Sequence, residues 1–288
     1  MVRRVAQRSK GDFLSEAEKS VDDMSPEAVL ARAVSARGDI YPEWAYVIRA
    51  TPNLFELLQA TGGYFHKYKG NAAEGLSGQM RELIATPALC AKPNIRYGAN
   101  HVRKLYRMGV TDRVIFEAAS AYSIVTGFST VANVAYAVLE ANNPDYKLGK
   151  MPEGGPPKEL TPFPELTMGR VRKGSGSETL LNAPEWQFAT GLEAEFARRA
   201  TGWVDYALNA DGAGEPDALL GTGPRELICI AALCARGEVE IAADHIVRAY
   251  DYGMSRGHVL DAIISVLPMT GIITAHLGLR AIKLAEGR

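Results

Sequence analysis

Two glutamate–histidine pairs carry the chemistry this sequence could perform. Glu82 precedes His101, and Glu226 precedes His245 at the same spacing. A carboxylate bonded to one ring nitrogen of an imidazole fixes its tautomer. The other nitrogen is then left to take or give a proton, which is general acid–base catalysis. Arg81 and Arg225 stand directly before the two glutamates, and a guanidinium is a planar fork that matches a substrate carboxylate. Tyr97 lies one turn before His101 and could donate to a developing enolate oxygen. Asn94 and Glu238, at the same remove before their histidines, complete the candidate substrate contacts. Plainer readings stand beside these. An Arg-Glu pair near a helix start is often a buried ion pair, a lone helical histidine is usually structural, and a packed tyrosine only needs its hydroxyl satisfied. His66, His258 and His276 have no such spacing and read as incidental.

The elements that must position these side chains follow from local signals. The glutamate falls in a helical segment that breaks at Lys92-Pro93 or at Arg236-Gly237. A second helix carries the histidine and ends at Gly109 or Gly253, since glycine is a usual stop just past a helix. Asn94, Tyr97 and His101 fall at i, i+3 and i+7 and so share one face, as do Glu238, Ile241 and His245. A short connection makes consecutive helices antiparallel neighbours, which lets the glutamate of one reach the histidine of the next. Further helices are expected from Ser25-Pro26-Glu27, from Pro42-Glu43-Trp44, over Asn53–Tyr68 with a bend at Gly62-Gly63, and from Thr111 through Gly127 to Leu139. A closing segment runs from Ser255 to Glu286, interrupted by Pro268 and Gly271. No stretch alternates as a strand would, so the chain reads as all-α.

Both chemical stretches belong to one repeat. Arg-Glu-Leu-Ile recurs as Arg81–Ile84 and Arg225–Ile228, and Ala-Leu-Cys-Ala as Ala88–Ala91 and Ala232–Ala235. His101 and His245, Tyr106 and Tyr250, and Gly109 and Gly253 follow, every pair at one constant offset of 144 with no gap. Such self-similarity is the mark of an internal duplication. Pro184-Glu185-Trp186 echoes Pro42-Glu43-Trp44 at an offset of 142, with Trp44 and Trp186 reading as core anchors. The organisation is therefore an arm and short helix over 1–24, a first repeat over 25–141, a Pro/Gly-rich linker over 142–182 and a second repeat over 183–288. The linker is too rich in proline and glycine for a regular helix, so it wraps the surface or is mobile.

At these residues the repeat unit resembles the carboxymuconolactone decarboxylase and alkylhydroperoxidase-D-like superfamily, here as a tandem fusion. The resemblance implies an all-helical, oligomeric fold with sites between helices and often between subunits. It implies roles for the glutamate and histidine of each unit. The peroxidase branch places a Cys-x-x-Cys before the histidine, where this chain has Asn94 and Tyr97, and Glu238 and Ile241. Without that pair, thiol peroxidase activity is not expected. The decarboxylase branch lacks the cysteines and carries acidic residues before the histidine, as Glu238 and Glu240 do here. A trimer of two-unit chains would reproduce the six-unit ring such relatives form.

Composition narrows the classes further. The chain has 288 residues, 47% of them hydrophobic, and a net charge of −1. That is ample apolar content for a large core and gives no electrostatic case for nucleic acid or a membrane surface. No apolar run approaches the ~20 residues of a spanning helix. Three cysteines, Cys90, Cys229 and Cys234, without a recognisable leader suggest buried thiols in a reducing cytoplasm. Neither repeat offers a metal-ligand spacing or a glycine-rich phosphate loop, so no metal and no cofactor is expected. Two functions remain. One is a cofactor-free lyase acting on a small carboxylated lactone or β-keto-type acid. The other is a non-catalytic oligomeric scaffold or metabolite-binding protein.

Overall fold

The computed structural model describes residues 23–37, 39–67, 75–169, 184–209 and 218–287. The expected N-terminal arm and its short charged helix, and residues 170–182 of the linker with their basic run, lie outside the described residues. Among the described residues thirteen helices form and no strand does, so the fold is all-α. Two compact units divide the chain, Met1–Thr61 and Gly62–Arg288.

The first unit holds α1 (Pro26–Arg37), α2 (Pro42–Ala50) and the beginning of α3 (Pro52–Lys67). Each starts on a proline, whose fixed φ and missing N–H suit the first helical turn. Ser25 Oγ accepts from Ala28 N at 3.4 Å. Val29, Ala33, Ile48 and Phe55 make the core, and Trp44 meets Phe55 edge-on at 5.7 Å. Trp44 is thus an anchor of this small core.

The second unit contains two successive sets of four helices. They are α4 (Gly78–Ala91), α5 (Ile95–Arg107), α6 (Asp112–Thr126) and α7 (Ser129–Ala141), then α10 (Thr222–Arg236), α11 (Val239–Asp251), α12 (Arg256–Thr270) and α13 (Ile273–Glu286). Each helix of the second set starts 144 residues after one of the first, Thr222 after Gly78 and Val239 after Ile95. Between the two sets lie α8 (Pro184–Leu192) and α9 (Ala194–Leu208), with Trp186 of α8 stacked on Phe196 of α9 at 5.5 Å.

Within each set the glutamate helix packs on the histidine helix, and both pack on the last helix of the set. The sets also interlock. α6 of the first lies on α10 of the second, and α12 of the second lies on α4 of the first. α4 and α10 are therefore buried along almost their whole length, and every residue of α10 from Thr222 to Cys234 is buried. A helix apolar or buried all round belongs in the centre of a core.

Two expectations about helix breaks are corrected. The helix from Thr111 does not pass Gly127. It stops there with the glycine at φ 91°, and α7 starts afresh at Ser129. Conversely Pro268 does not interrupt α12, which runs on to Thr270 and stops at Gly271, φ 88°. A proline this close to a helix end removes one backbone bond, whereas a non-helical positive φ ends the helix outright.

The described part of the linker, as far as Gly169, straps the two sets. Arg103 of α5 is buried and donates to five of its carbonyls or those leading into it: Ala141, Asn143, Tyr146, Leu148 and Gly149. Farther on, Thr161 N donates to Gly109 O at 2.8 Å. Gly109 is at φ 75°, and a Cβ there would collide with the Thr161 side chain. Glu165, 1% exposed, accepts from Ser77 N and Ser77 Oγ at 2.7 Å each. Leu166 O and Met168 O accept from Gly221 N and Gly223 N. The strap thus closes on the starts of both glutamate helices, α4 and α10.

Candidate active site

In both sets the glutamate reaches the histidine. Glu82 Oε2 accepts from His101 Nδ1 at 2.6 Å, and Glu226 Oε2 accepts from His245 Nδ1 at 2.6 Å. A carboxylate only accepts, so Nδ1 carries the proton in each pair. The glutamate of each pair is buried, at 2% and 0% exposure.

Each carboxylate has a second partner that spacing arguments about glutamate and histidine overlook. Glu82 Oε1 accepts from Lys104 Nζ, and Glu226 Oε1 from Arg248 Nε at 2.5 Å. Lys104 and Arg248 each follow their histidine by three, so a reading of cations on the histidine face would have found them. The environments then diverge. The His101 side chain is 17% exposed and Lys104 42%. His245 is wholly buried, and Arg248, 8% exposed, also donates to Asn209 Oδ1 at 2.7 Å and lies over the Tyr252 ring. Burial works against a charge on His245, but the Cys229 sulfur and the Glu226 carboxylate beside it prevail and raise its pKa from 6.5 to about 10.

The remaining candidates fall in several places. Tyr97 is half-buried on α5, one turn before His101. Asn94 and Glu238 are exposed, at the starts of α5 and α11. Glu238 is about two helical turns from His245, and the carboxylate that holds this histidine is Glu226. Arg81 and Arg225 are buried and engaged in the fold. Arg81 donates to Leu76 O at 2.7 Å and pairs with Asp261 of α12 at 3.3 Å. Arg225 donates to Leu220 O at 2.8 Å and pairs with Glu117 of α6 at 2.7 Å. Leu220 follows Leu76, and Asp261 follows Glu117, at the same offset of 144. Each arginine therefore ties the start of its own glutamate helix to an acid from the other set. His258 forms a reciprocal capping box with Ser255 at the start of α12, and His276 is exposed.

The cysteines are free and buried. Burial pushes the Cys90 thiol up to about 12, and burial together with Cys229 pushes Cys234 to about 12. The thiolate is the reactive form of cysteine, so these two thiols are held in their inert state. Among the described residues no three His, Cys, Asp or Glu side chains group as a metal site, and no helix is long and apolar enough to cross a membrane.

No family model matches the chain, and no curated protein matches it.

Proposed function

We propose that the chain is a cofactor-free carboxy-lyase of the carboxymuconolactone decarboxylase type, acting on a small carboxylated lactone or β-keto acid at the Glu82–His101 pair. The observation that carries this reading is an asymmetry. The same 2.6 Å Glu–His bond occurs twice, but only His101 has exposed surface, 17% against 0% for His245. Loss of carbon dioxide leaves the electron pair of the broken C–C bond on the carbonyl as an enolate. Protonated His101 then delivers the Nε2 proton to carbon and recovers one from water, while Glu82 holds Nδ1. Lys104, half-exposed beside Glu82, is placed to attract the substrate carboxylate, and Tyr97 one turn away is the donor for the enolate oxygen. Arg81 and Arg225 serve the fold in this reading, because their guanidinium groups are buried on protein carboxylates, whereas Lys104, though paired with Glu82, is 42% exposed. The duplicated unit works as a homo-oligomer in the cytoplasm.

The second repeat favours the other reading for its own half. A histidine sealed from solvent on a glutamate and an arginine network is a scaffold element. One active and one structural repeat is therefore the arrangement we infer.

The test is a screen of carboxylated lactones and β-keto acids for carbon dioxide release. On any substrate turned over, His101→Ala should lower kcat by roughly 10²–10⁴, the contribution of a positioned general acid. His245→Ala should act mainly through stability. Full activity of folded His101→Ala protein would remove this histidine from the mechanism and leave the scaffold reading for both halves.

A further inference from the structure

The interlock of the two sets has two halves, and they are satisfied unequally. At the start of α10, Glu117 of α6 has both oxygens bonded. Oε1 accepts from Leu219 N at 3.0 Å, and Oε2 accepts from Leu220 N and Arg225 Nη2 at 2.7 Å each. At the start of α4, Asp261 of α12 bonds through one oxygen. Oδ2 accepts from Leu76 N at 2.9 Å and from Arg81 Nη2 at a looser 3.3 Å. Oδ1 is buried, and among the described residues no protein group bonds to it. A buried acceptor without a partner is rare and costly.

Beside this carboxylate lies a second. Leu76 N and Ser77 N are consecutive amides, and they donate to different buried acids, Asp261 and Glu165 of the strap. At the other half Gly221 N, 144 residues on from Ser77 N, donates to the uncharged carbonyl of Leu166. Two buried carboxylates on adjacent amides resist being ionised together. Burial, aided by Glu165, prevails over the Leu76 amide, Arg81 and His258 and raises the Asp261 carboxyl above its ordinary 3.8. The groups that act on Asp261 are thus Arg81 of α4, Glu165 of the strap and His258 of its own helix. The other helices packed on α12 are α10 and α13. On α10, Arg225 is bonded to Glu117, and Glu226 to His245 and Arg248. Arg236 of α10 and His276, Arg280, Lys283 and Glu286 of α13 are exposed.

We propose that Asp261 is a proton-operated lock between the two sets: mild acid places a proton on Oδ1 and tightens the hold of α12 on the start of α4, and neutral pH loosens it. The proton leaves the Oδ2 bonds in place and cancels the repulsion from Glu165. An acid whose folded value lies above its unfolded 3.8 binds its proton first in the folded chain. The stability tied to Asp261 therefore grows as pH falls through the raised folded value and is complete below 3.8. It is lost as pH rises through the folded value. Glu82 follows Arg81 directly on α4, so the lock bears on the helix that positions the Glu82–His101 pair.

Carbon-13 NMR of the full chain labelled at its aspartate carboxyls reads the proton directly. One signal, absent from Asp261→Asn, should titrate with a midpoint above 3.8. Glu165→Gln should move that midpoint down. Thermal melts give a second readout. The melting temperature of wild type relative to Asp261→Asn should rise by about 2 °C or more as pH falls from about 7 to about 4. A midpoint at or below 3.8 would overturn the proposal. So would a midpoint that Glu165→Gln leaves in place, or a melting gap that does not change with pH. Where Asp261→Asn fails to fold, the signal is identified by its response to Glu165→Gln, and the lack of any responding aspartate signal overturns the proposal equally.

Discussion

Glu226 and Glu82 make the same bond to a histidine, yet the two imidazoles face different demands. His245 is wholly buried, and the neighbouring Cys229 and Glu226 hold its pKa up, at about 10. A basic group whose folded pKa exceeds its ordinary 6.5 adds stability that is complete below about pH 6.5. That stability is lost as pH rises through about 10. The melting temperature of wild type should therefore exceed that of His245→Gln by most near pH 6, and the gap should close toward pH 10. Thermal melts followed by circular dichroism at half-unit pH steps read this directly. A gap that is constant from pH 6 to 10 would mean that the folded imidazole is neutral and its network is held by Arg248 alone.

Among the elements, the interlock of the two sets rests on reciprocal ion pairs at the starts of α4 and α10. Arg225 is 3% exposed and Glu117 12%. Breaking a buried pair by removing one partner strands a charge and costs about 3–5 kcal/mol, so Glu117→Gln should lower unfolding free energy by about that much in urea titrations. The cost includes Leu219 N and Leu220 N, which lose a charged acceptor. Exposed surface pairs such as Arg198–Glu195 provide the control, where the same kind of change should cost under about 1 kcal/mol. The strap is a second lock. Ser77→Ala removes both the cap of Met80 N and the hydroxyl bond to Glu165. Loss of a cap alone costs about 0.5–2 kcal/mol, and the added loss at buried Glu165 should bring the total to the top of that range. A loss below about 0.5 kcal/mol, the floor for a cap, would mean that Ser77 N alone suffices to hold Glu165.

For the whole molecule, the expectation that concerns assembly is a trimer of two-repeat chains. Phe128, Tyr136 and Leu139 on or beside α7 and Ile272, Ile273 and Leu279 on or beside α13 are large apolar residues left exposed. The last helices of both sets thus carry exposed apolar side chains. Large exposed apolar patches mark association sites, and closed symmetry is the usual outcome for identical chains. Multi-angle light scattering at micromolar concentration should give three times the 31.1 kDa chain mass. A monomer would end the ring proposal. Substituting Leu139 and Leu279 with lysine should dissociate the trimer without unfolding its chains.

The helical class, the helix starts on Pro26 and Pro42, and the reach from glutamate to histidine were all legible in the sequence. They are local or periodic properties: capping residues, proline at the first turn, and a spacing that a helix pair with a short connection can close in only a few ways. Burial was not legible, because it depends on what packs from elsewhere in the chain. Tertiary structure sealed His245 and left His101 partly exposed, although each histidine stands 19 residues after its glutamate. It also turned Arg81 and Arg225 toward Asp261 and Glu117, residues 180 and 108 positions away. The proline-rich linker became a strap through bonds from Thr161, Glu165 and Leu166 to positions its composition does not encode. Breaks differed for a related reason. A glycine's φ is chosen by the chain around it, so Gly127 ended a helix that its neighbours would have continued.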